Sequence, residues 1–134
     1  MTVVATAGWS QRLTWLGTLP GGYESMAYGV SADGAVVVGW SHNASNWLGA
    51  FRWTQAGGME DLNQTYASLL TDGSQLWGAY AISPDGRYIV GGCWNAATGR
   101  DFEAFLLDTV PEPASVVVLG AGLAGLLRVR RRRA

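Results

Sequence analysis

The chain has 134 residues and a formal net charge of −1, with 49% hydrophobic and only 14% charged residues. That length predicts one modest domain around a single core. Residues 1–127 carry ten acids against four arginines and no lysine, a net charge of −6. An acidic, lysine-free surface excludes the basic patch of a nucleic-acid-binding domain, so we expect no nucleic-acid partner.

Nineteen glycines and seven tryptophans in so short a chain predict many tight turns and half-buried aromatic strands, as in all-β proteins.

The N-terminus has neither a basic segment nor the apolar run of a secretory signal, although Ala5-Thr6-Ala7 has the small-residue pattern of a cleavage site. Two explanations stay open: the true start lies upstream, or the chain is a truncated copy.

Residues 1–15 are interpreted as part of a preceding repeat or as an N-terminal strand. The segment Trp9–Leu16 has the pattern of a closing strand whose partners are absent. Such a strand leaves an unpaired edge, so we expect marginal stability or association through this edge.

Residues 16–61 form the first predicted repeat unit. An apolar segment closed by Pro20-Gly21-Gly22 precedes two strands that flank the tight turn Ser31–Gly34. A polar loop, a third strand over Ala50–Trp53, a glycine turn and a fourth strand over Met59–Leu62 complete the unit.

Residues 62–109 repeat this order. The segment Ala79–Gly91 matches Ala27–Gly39 at an offset of fifty-two residues, and Ala104-Phe105 matches Ala50-Phe51 after a two-residue insertion. A period near fifty residues with four short strands is typical of a propeller blade or a related β array.

We expect one short helical turn around Tyr66–Leu70 between the units. Two units cannot close a ring, so they must leave sheet edges open or stack face to face.

These repeated motifs resemble the HAF family of extracellular repeats. The resemblance rests on the opening L-G-T-L-P-G-G, the hairpin A-x-x-[IV]-S-x-D-G-x-x-[IV]-V-G and the ending A-F-x-W-x-x-x-G-G-M-x-D-L, and it covers most of residues 16–108. Leu107 departs from it where the first unit has Trp53. The resemblance implies a bacterial surface protein and carries no catalytic residues.

The residues that could support chemistry each have a structural alternative. Asp33 and Asp85 could bind calcium, but Asp-Gly in a hairpin turn is explained by backbone capping. Cys93 and His42 are the only residues of their types, which predicts no disulfide, metal site or catalytic triad. A sugar-stacking surface and ordinary core packing both stay open for five tryptophans, with core packing favoured. These are Trp40, Trp47, Trp53, Trp77 and Trp94.

The C-terminal tail, residues 110–134, combines a proline hinge, an apolar run and an arginine cluster. Ala114–Leu127 is fourteen residues without a charge, shorter than the roughly twenty of a full membrane span. Arginines directly after such a run hold that end in the cytoplasm. Residues Gly120–Gly125 match the GxGxxG sequence pattern of a dinucleotide-binding turn. We discount such a site, because the second strand and the acidic residue that must follow the glycines are missing. We expect a helix from about Pro113 to Arg132 and no cofactor.

In order and spacing the tail resembles the PEP-CTERM sorting signal of Gram-negative bacteria. The resemblance implies transient anchoring in the inner membrane, cleavage by an exosortase, and release to the cell surface or matrix. The sorting motif would be Pro111, Glu112 and Pro113. The cytoplasmic anchor would be Arg128, Arg130, Arg131, Arg132 and Arg133.

The predicted fold is mainly β, with two four-stranded antiparallel propeller-like units and one C-terminal transmembrane-type α-helix. The predicted function is a non-enzymatic, exported surface or matrix protein whose repeats contact exopolysaccharide or other surface proteins. The alternative is a fragment of a secreted propeller-type polysaccharide hydrolase or lyase. An enzyme would need titratable side chains converging in a pocket.

Overall fold

The computed structural model describes residues 10–111, which form two antiparallel sheets of consecutive strands. Sheet I contains β1 (Ser25–Val30), β2 (Val36–His42), β3 (Leu48–Thr54) and β4 (Gly58–Asp61). Sheet II contains β5 (Gln75–Ile82), β6 (Tyr88–Asn95) and β7 (Arg100–Asp108). The connection between the sheets contains a short helix, α1 (Leu62–Thr65), and a 3-10 turn (Ala67–Leu69).

The mainly β class and the four strands of sheet I are confirmed, and the two sheets do not close into a ring. The prediction of four strands in the second unit is wrong for the described residues, where sheet II has three. In sheet I the chain returns into β4 through Gly58, whose φ of 69° suits a turn. The described residues that follow β7, 109–111, contain no glycine; there Asp108 accepts the Val110 N–H and pairs with Arg87.

Both units use the same hairpin turn. In the first, the Ser31 hydroxyl and the Ala35 N–H donate to Asp33 Oδ1 at 2.7 and 3.0 Å. In the second, the Ser83 hydroxyl and the Arg87 N–H donate to Asp85 Oδ1 at 2.6 and 3.0 Å. The two aspartates therefore cap their own turns, as the sequence predicts.

The first strand of each hairpin carries a bulge at the same repeat position. The register of β1 and β2 shifts between Ala27 and Gly29, and that of β5 and β6 shifts between Ala79 and Ala81. The extra residue is a tyrosine in both units, Tyr28 in the first and Tyr80 in the second. A bulge sharpens the strand twist and re-aims one side chain.

The two sheets stack through one shared core. The front face of a sheet is the one that carries Val38 in sheet I and the repeat-equivalent Val90 in sheet II. The back face carries Ala27 in sheet I and Ala79 in sheet II. The front face of sheet I packs on the back face of sheet II, and the buried residues of this core are Val38, Ala50, Leu62, Leu76, Ala79, Ile89, Cys93 and Leu107.

The N-terminal segment crosses the back face of sheet I without joining a sheet. Residues 10–18 form no strand, so the strand predicted over Trp9–Leu16 is absent from its described part, and Trp9 lies outside the described residues. Side-chain hydroxyls hold the end of this segment: Leu19 N–H donates to Ser41 Oγ at 2.9 Å, and Ser25 Oγ donates to the Gly17 carbonyl at 2.7 Å. Hydrogen bonds from side chains here take the place of strand pairing.

Candidate binding cleft

Three of the five tryptophans considered above converge in space. Trp47, Trp77 and Trp94 line a cleft of about 300 Å³ together with Gln75 and Asp101. Apolar aromatic walls with a few polar groups at the rim are the usual chemistry of a small-ligand site.

Trp47 reaches the cleft from the loop that joins β2 to β3. Asn43 closes this loop: its N–H donates to the Trp47 carbonyl at 3.0 Å, and its side-chain oxygen accepts the Trp47 N–H at 3.1 Å. The Trp47 side chain remains 58% exposed. A fixed backbone thus presents a large ring to solvent, which is typical of recognition loops.

Trp77 occupies a second bulge of β5, where the register with β6 shifts between Leu76 and Gly78. Its ring meets Phe102 edge to face, with centroids 4.8 Å apart. Phe102 is 71% exposed and has a φ of 58°, which is uncommon for an aromatic residue. Phe102 does not itself line the cleft, but its ring packs on the Trp77 ring that does.

The other two tryptophans lie elsewhere. Trp40 Nε1 donates to the Tyr28 hydroxyl at 3.2 Å, and its ring meets His42 edge to face. Trp53 lies on the back face of sheet I, paired with Val37. None of the five tryptophans is fully buried. The core-packing interpretation favoured from the sequence therefore does not describe them, and three of the five line the cleft.

The remaining candidate residues have structural roles in the described chain. The His42 ring stacks on Tyr23 with centroids 4.5 Å apart, and its Nδ1 lies 3.9 Å from Glu24 Oε1, beyond hydrogen-bond range. Burial, with a contribution from Glu103, raises the pKa of the Cys93 thiol, which makes it a poor nucleophile. Within residues 10–111, no three His, Cys, Asp or Glu side chains are grouped to hold a metal ion.

Sequence reasoning did not identify Gln75 and Asp101 as cleft residues, or Phe102 as the ring that packs on Trp77. Gln75 pairs with Trp94 across β5 and β6, whereas Asp101 and Phe102 follow the hairpin turn into β7. No local pattern marks these residues, because the cleft forms only when the β2–β3 loop meets sheet II.

The predicted sorting motif lies at the limit of the described chain. Pro111 is described, whereas Glu112, Pro113 and the five anchor arginines lie outside the described residues. The transmembrane-type helix predicted from Pro113 to Arg132 also lies outside them. No helix among residues 10–111 has the length and apolar character needed to cross a bilayer.

Comparison with known families identifies the tail. Residues 109–133 match the family described as the PEP-CTERM protein-sorting motif, which includes the predicted motif Pro111–Pro113. The match supports an exported protein that is sorted by an exosortase, itself a membrane protein. No curated protein and no solved structure matches the chain.

Proposed function

We propose that this chain is an exported cell-surface or extracellular-matrix protein of a Gram-negative bacterium, whose β module binds a neutral glycan without catalysing a reaction. The PEP-CTERM match supports export and sorting. In this proposal the tail anchors the protein briefly in the inner membrane through Arg128 and Arg130–Arg133. An exosortase then recognises Pro111–Pro113 and releases the protein to the surface or matrix.

The proposal treats the two sheets as HAF-type, propeller-like repeats. The equivalent Ser-Asp turns and the equivalent tyrosine bulges support a true structural repeat. Extracellular repeat modules of this kind serve as scaffolds, because their loops are free to carry recognition residues.

The cleft of Trp47, Trp77 and Trp94 is the observation that carries the glycan proposal. The C–H-rich face of a sugar ring packs well on an indole, and sugar hydroxyls need hydrogen-bond partners such as Gln75 and Asp101. Among the described residues, Asp101 is the only acidic or basic residue that lines the cleft. A negative group and an acidic domain disfavour an anionic polysaccharide, so we propose a neutral glycan.

The same lining supports binding rather than hydrolysis. Glycosidases ordinarily use two carboxyl groups, about 5–9.5 Å apart, on either side of the scissile bond. Of the residues that the structure describes, Asp101 contributes the single carboxyl group of the cleft lining. Within that part of the chain, no second acid lines the cleft to share the acid and nucleophile roles.

Binding of the full chain, in mild detergent, to a panel of neutral glucans and mannans tests the proposal by titration calorimetry. We expect saturable binding that Trp47→Ala weakens about tenfold or more, since one lost aromatic contact is worth roughly 1.4 kcal/mol. Trp15→Ala is the matched control, because Trp15 is 85% exposed and does not line the cleft.

Two results would reject the proposal. If no member of the panel binds, or if Trp47→Ala and Trp15→Ala behave alike, the cleft is not a glycan site. Release of reducing sugar from a bound glycan would instead favour the alternative, a fragment of a secreted polysaccharide hydrolase. None of these results affects the assignment of the tail.

A further inference from the structure

The front face of sheet II continues beyond the cleft as a second aromatic surface. Trp94 lines the cleft, and Gly92 is the preceding residue of β6 on the same face, roughly 7 Å away along the strand. Gly92 pairs with Gly78 of β5, so two glycines lie side by side next to the cleft. Glycine in a strand leaves room for another group to approach the backbone closely.

The side chain of Tyr80 lies on this glycine pair. A Cβ on Gly78 would be 3.1 Å from the Tyr80 hydroxyl oxygen, and a Cβ on Gly92 would be 3.7 Å from a carbon of the same ring. The ring therefore extends from its bulge back along β5 towards the cleft. Because 46% of Tyr80 stays exposed, the ring offers a further aromatic contact beside the cleft.

Tyr28 continues the aromatic surface across the junction between the two sheets. Its ring meets the Tyr80 ring edge to face, and its hydroxyl accepts the Trp40 Nε1–H at 3.2 Å. These two contacts hold the ring, while 45% of Tyr28 remains exposed. A ring that is held before binding loses little conformational freedom when a ligand binds. Tyr80 and Tyr28 are called the tyrosine surface below.

The two strands next to the tyrosine surface lack acidic and basic residues. Neither β5 nor β6 contains Asp, Glu, Lys or Arg. The polar groups of the two tyrosines are their hydroxyls, which can exchange hydrogen bonds with the hydroxyls of a sugar. Ring faces with neutral polar tips suit a neutral glycan better than an ionic ligand. The tyrosine surface therefore continues the chemistry of the cleft.

We infer that the cleft and the tyrosine surface together bind an internal stretch of an extended, neutral polysaccharide chain. One sugar stacks among the tryptophans of the cleft, and the following sugars lie on Tyr80 and then on Tyr28. The inference rests on the proposed glycan function and adds the class of ligand, a polymer of the cellulose or mannan type. Such an extended chain can follow a row of rings, whereas the coiled chain of an amylose-type glucan curves away from the row.

Titration calorimetry of the full chain in mild detergent, with cello- and manno-oligosaccharides of two to six sugars, tests this inference. We expect the affinity of the parent to rise about tenfold or more from the disaccharide to the hexasaccharide, because only the longer ligand reaches the tyrosine surface. Tyr80→Ala should remove most of that rise. Trp47→Ala should instead weaken binding at every length.

A conservative variant separates the loss of a contact from the loss of the fold. Tyr80→Phe keeps the ring on the glycine pair and should keep most of the rise in affinity with length. Thermal melts of Tyr80→Ala and Tyr80→Phe check that both variants stay folded.

Tyr88→Ala is the matched control, because Tyr88 is a tyrosine on the same face of sheet II and is 39% exposed. Val90 separates it from the glycine pair along β6, and the Arg87 guanidinium carbon lies 4.9 Å from the centre of its ring. Tyr88→Ala should therefore bind every oligosaccharide as the parent does.

The inference is overturned if the parent binds the disaccharide and the hexasaccharide equally well, and the proposed glycan function then still stands. It is also overturned if folded Tyr80→Ala keeps the full rise with length, or if Tyr88→Ala loses it. If no oligosaccharide and no polymer binds, the inference and the proposed function both fail. Sedimentation tests the other occupant of this face: if Tyr80→Ala weakens self-association and not the affinity for oligosaccharides, the face joins copies of the chain and the inference is wrong.

Discussion

The rings of Tyr28 and Tyr80 meet edge to face, with centroids 4.9 Å apart and an interplanar angle of 63°. The two residues occupy the same position in successive repeats, and each is the extra residue of a bulge. The bulge that occurs in both repeats therefore contributes one ring contact between the two units.

This tyrosine pair should stabilise the stacking of the sheets. We expect Tyr28→Ala and Tyr80→Ala to be coupled by about 0.5–1.5 kcal/mol, the usual strength of an aromatic pair beyond its buried area. A double-mutant cycle on the free energy of unfolding, measured by denaturant titration, gives this coupling directly. Strictly additive effects would show that the rings are neighbours without an energetic interaction.

Replacing Gly91 by alanine should cost much more stability than replacing Gly92. A Cβ on Gly91 would overlap the carbonyl oxygen of Gly78 in the neighbouring strand, whereas a Cβ on Gly92 would make only an ordinary contact, 3.7 Å from the Tyr80 ring. We expect Gly91→Ala to cost about 3 kcal/mol and Gly92→Ala to cost under about 1 kcal/mol. Thermal melts of the two variants make the comparison. Equal losses would place β5 and β6 further apart than they are here.

The turn aspartates should make stability depend on acid pH. The Ser83 hydroxyl and the Arg87 N–H donate to Asp85 and lower its pKa; the Ser31 hydroxyl and the Ala35 N–H do the same for Asp33. A carboxylate whose pKa is lower in the folded state stabilises the fold above its unfolded pKa. That contribution is lost as the pH falls below about 4 and through the folded pKa.

We therefore expect the unfolding free energy to decrease on acidification, and Asp85→Asn to make this decrease shallower. Asp33→Asn should act in the same direction, because its turn has the same hydrogen bonds. Urea titrations from pH 6 to pH 2 measure the slopes. A slope that neither variant changes would assign the acid sensitivity to other carboxylates.

The arginine cluster should fix the membrane orientation of the tail. Replacing Arg130–Arg133 with serine removes charges that each cost roughly 2.5–3.5 kcal/mol at the centre of a bilayer. We expect the altered tail to pass through the membrane and the protein to be lost from the membrane fraction before processing. Fractionation of an exporting host, with the parent alongside, measures this. Unchanged membrane retention would assign the anchor to residues other than these arginines.

Local patterns in the sequence predicted much of the fold. The Ser-x-Asp-Gly turns follow from side-chain capping, and the alternating apolar residues around them mark the strands. The bulges at Tyr28 and Tyr80 leave no local signal, because an extra residue is defined only by its partner strand. Trp47 could not be placed in a cleft with Trp77 and Trp94, because their meeting depends on how sheet I sits on sheet II. The composition of Trp9–Leu16 predicts a strand, whereas its described part is irregular; no local pattern reveals this, because the hydroxyls that hold the end of the segment, Ser25 and Ser41, lie further along the chain.

The most direct test of the account is the processing of the tail. The parent and a variant with Pro111, Glu112 and Pro113 replaced by alanine are expressed behind a working signal peptide, in a host that has an exosortase and in the same host without it. Intact-mass measurement of the membrane-bound and released protein then reports cleavage. The account predicts that the parent is trimmed and released only when the exosortase is present, and that the variant inserts but stays uncleaved in the membrane. Trimming and release of the variant at the level of the parent would contradict it.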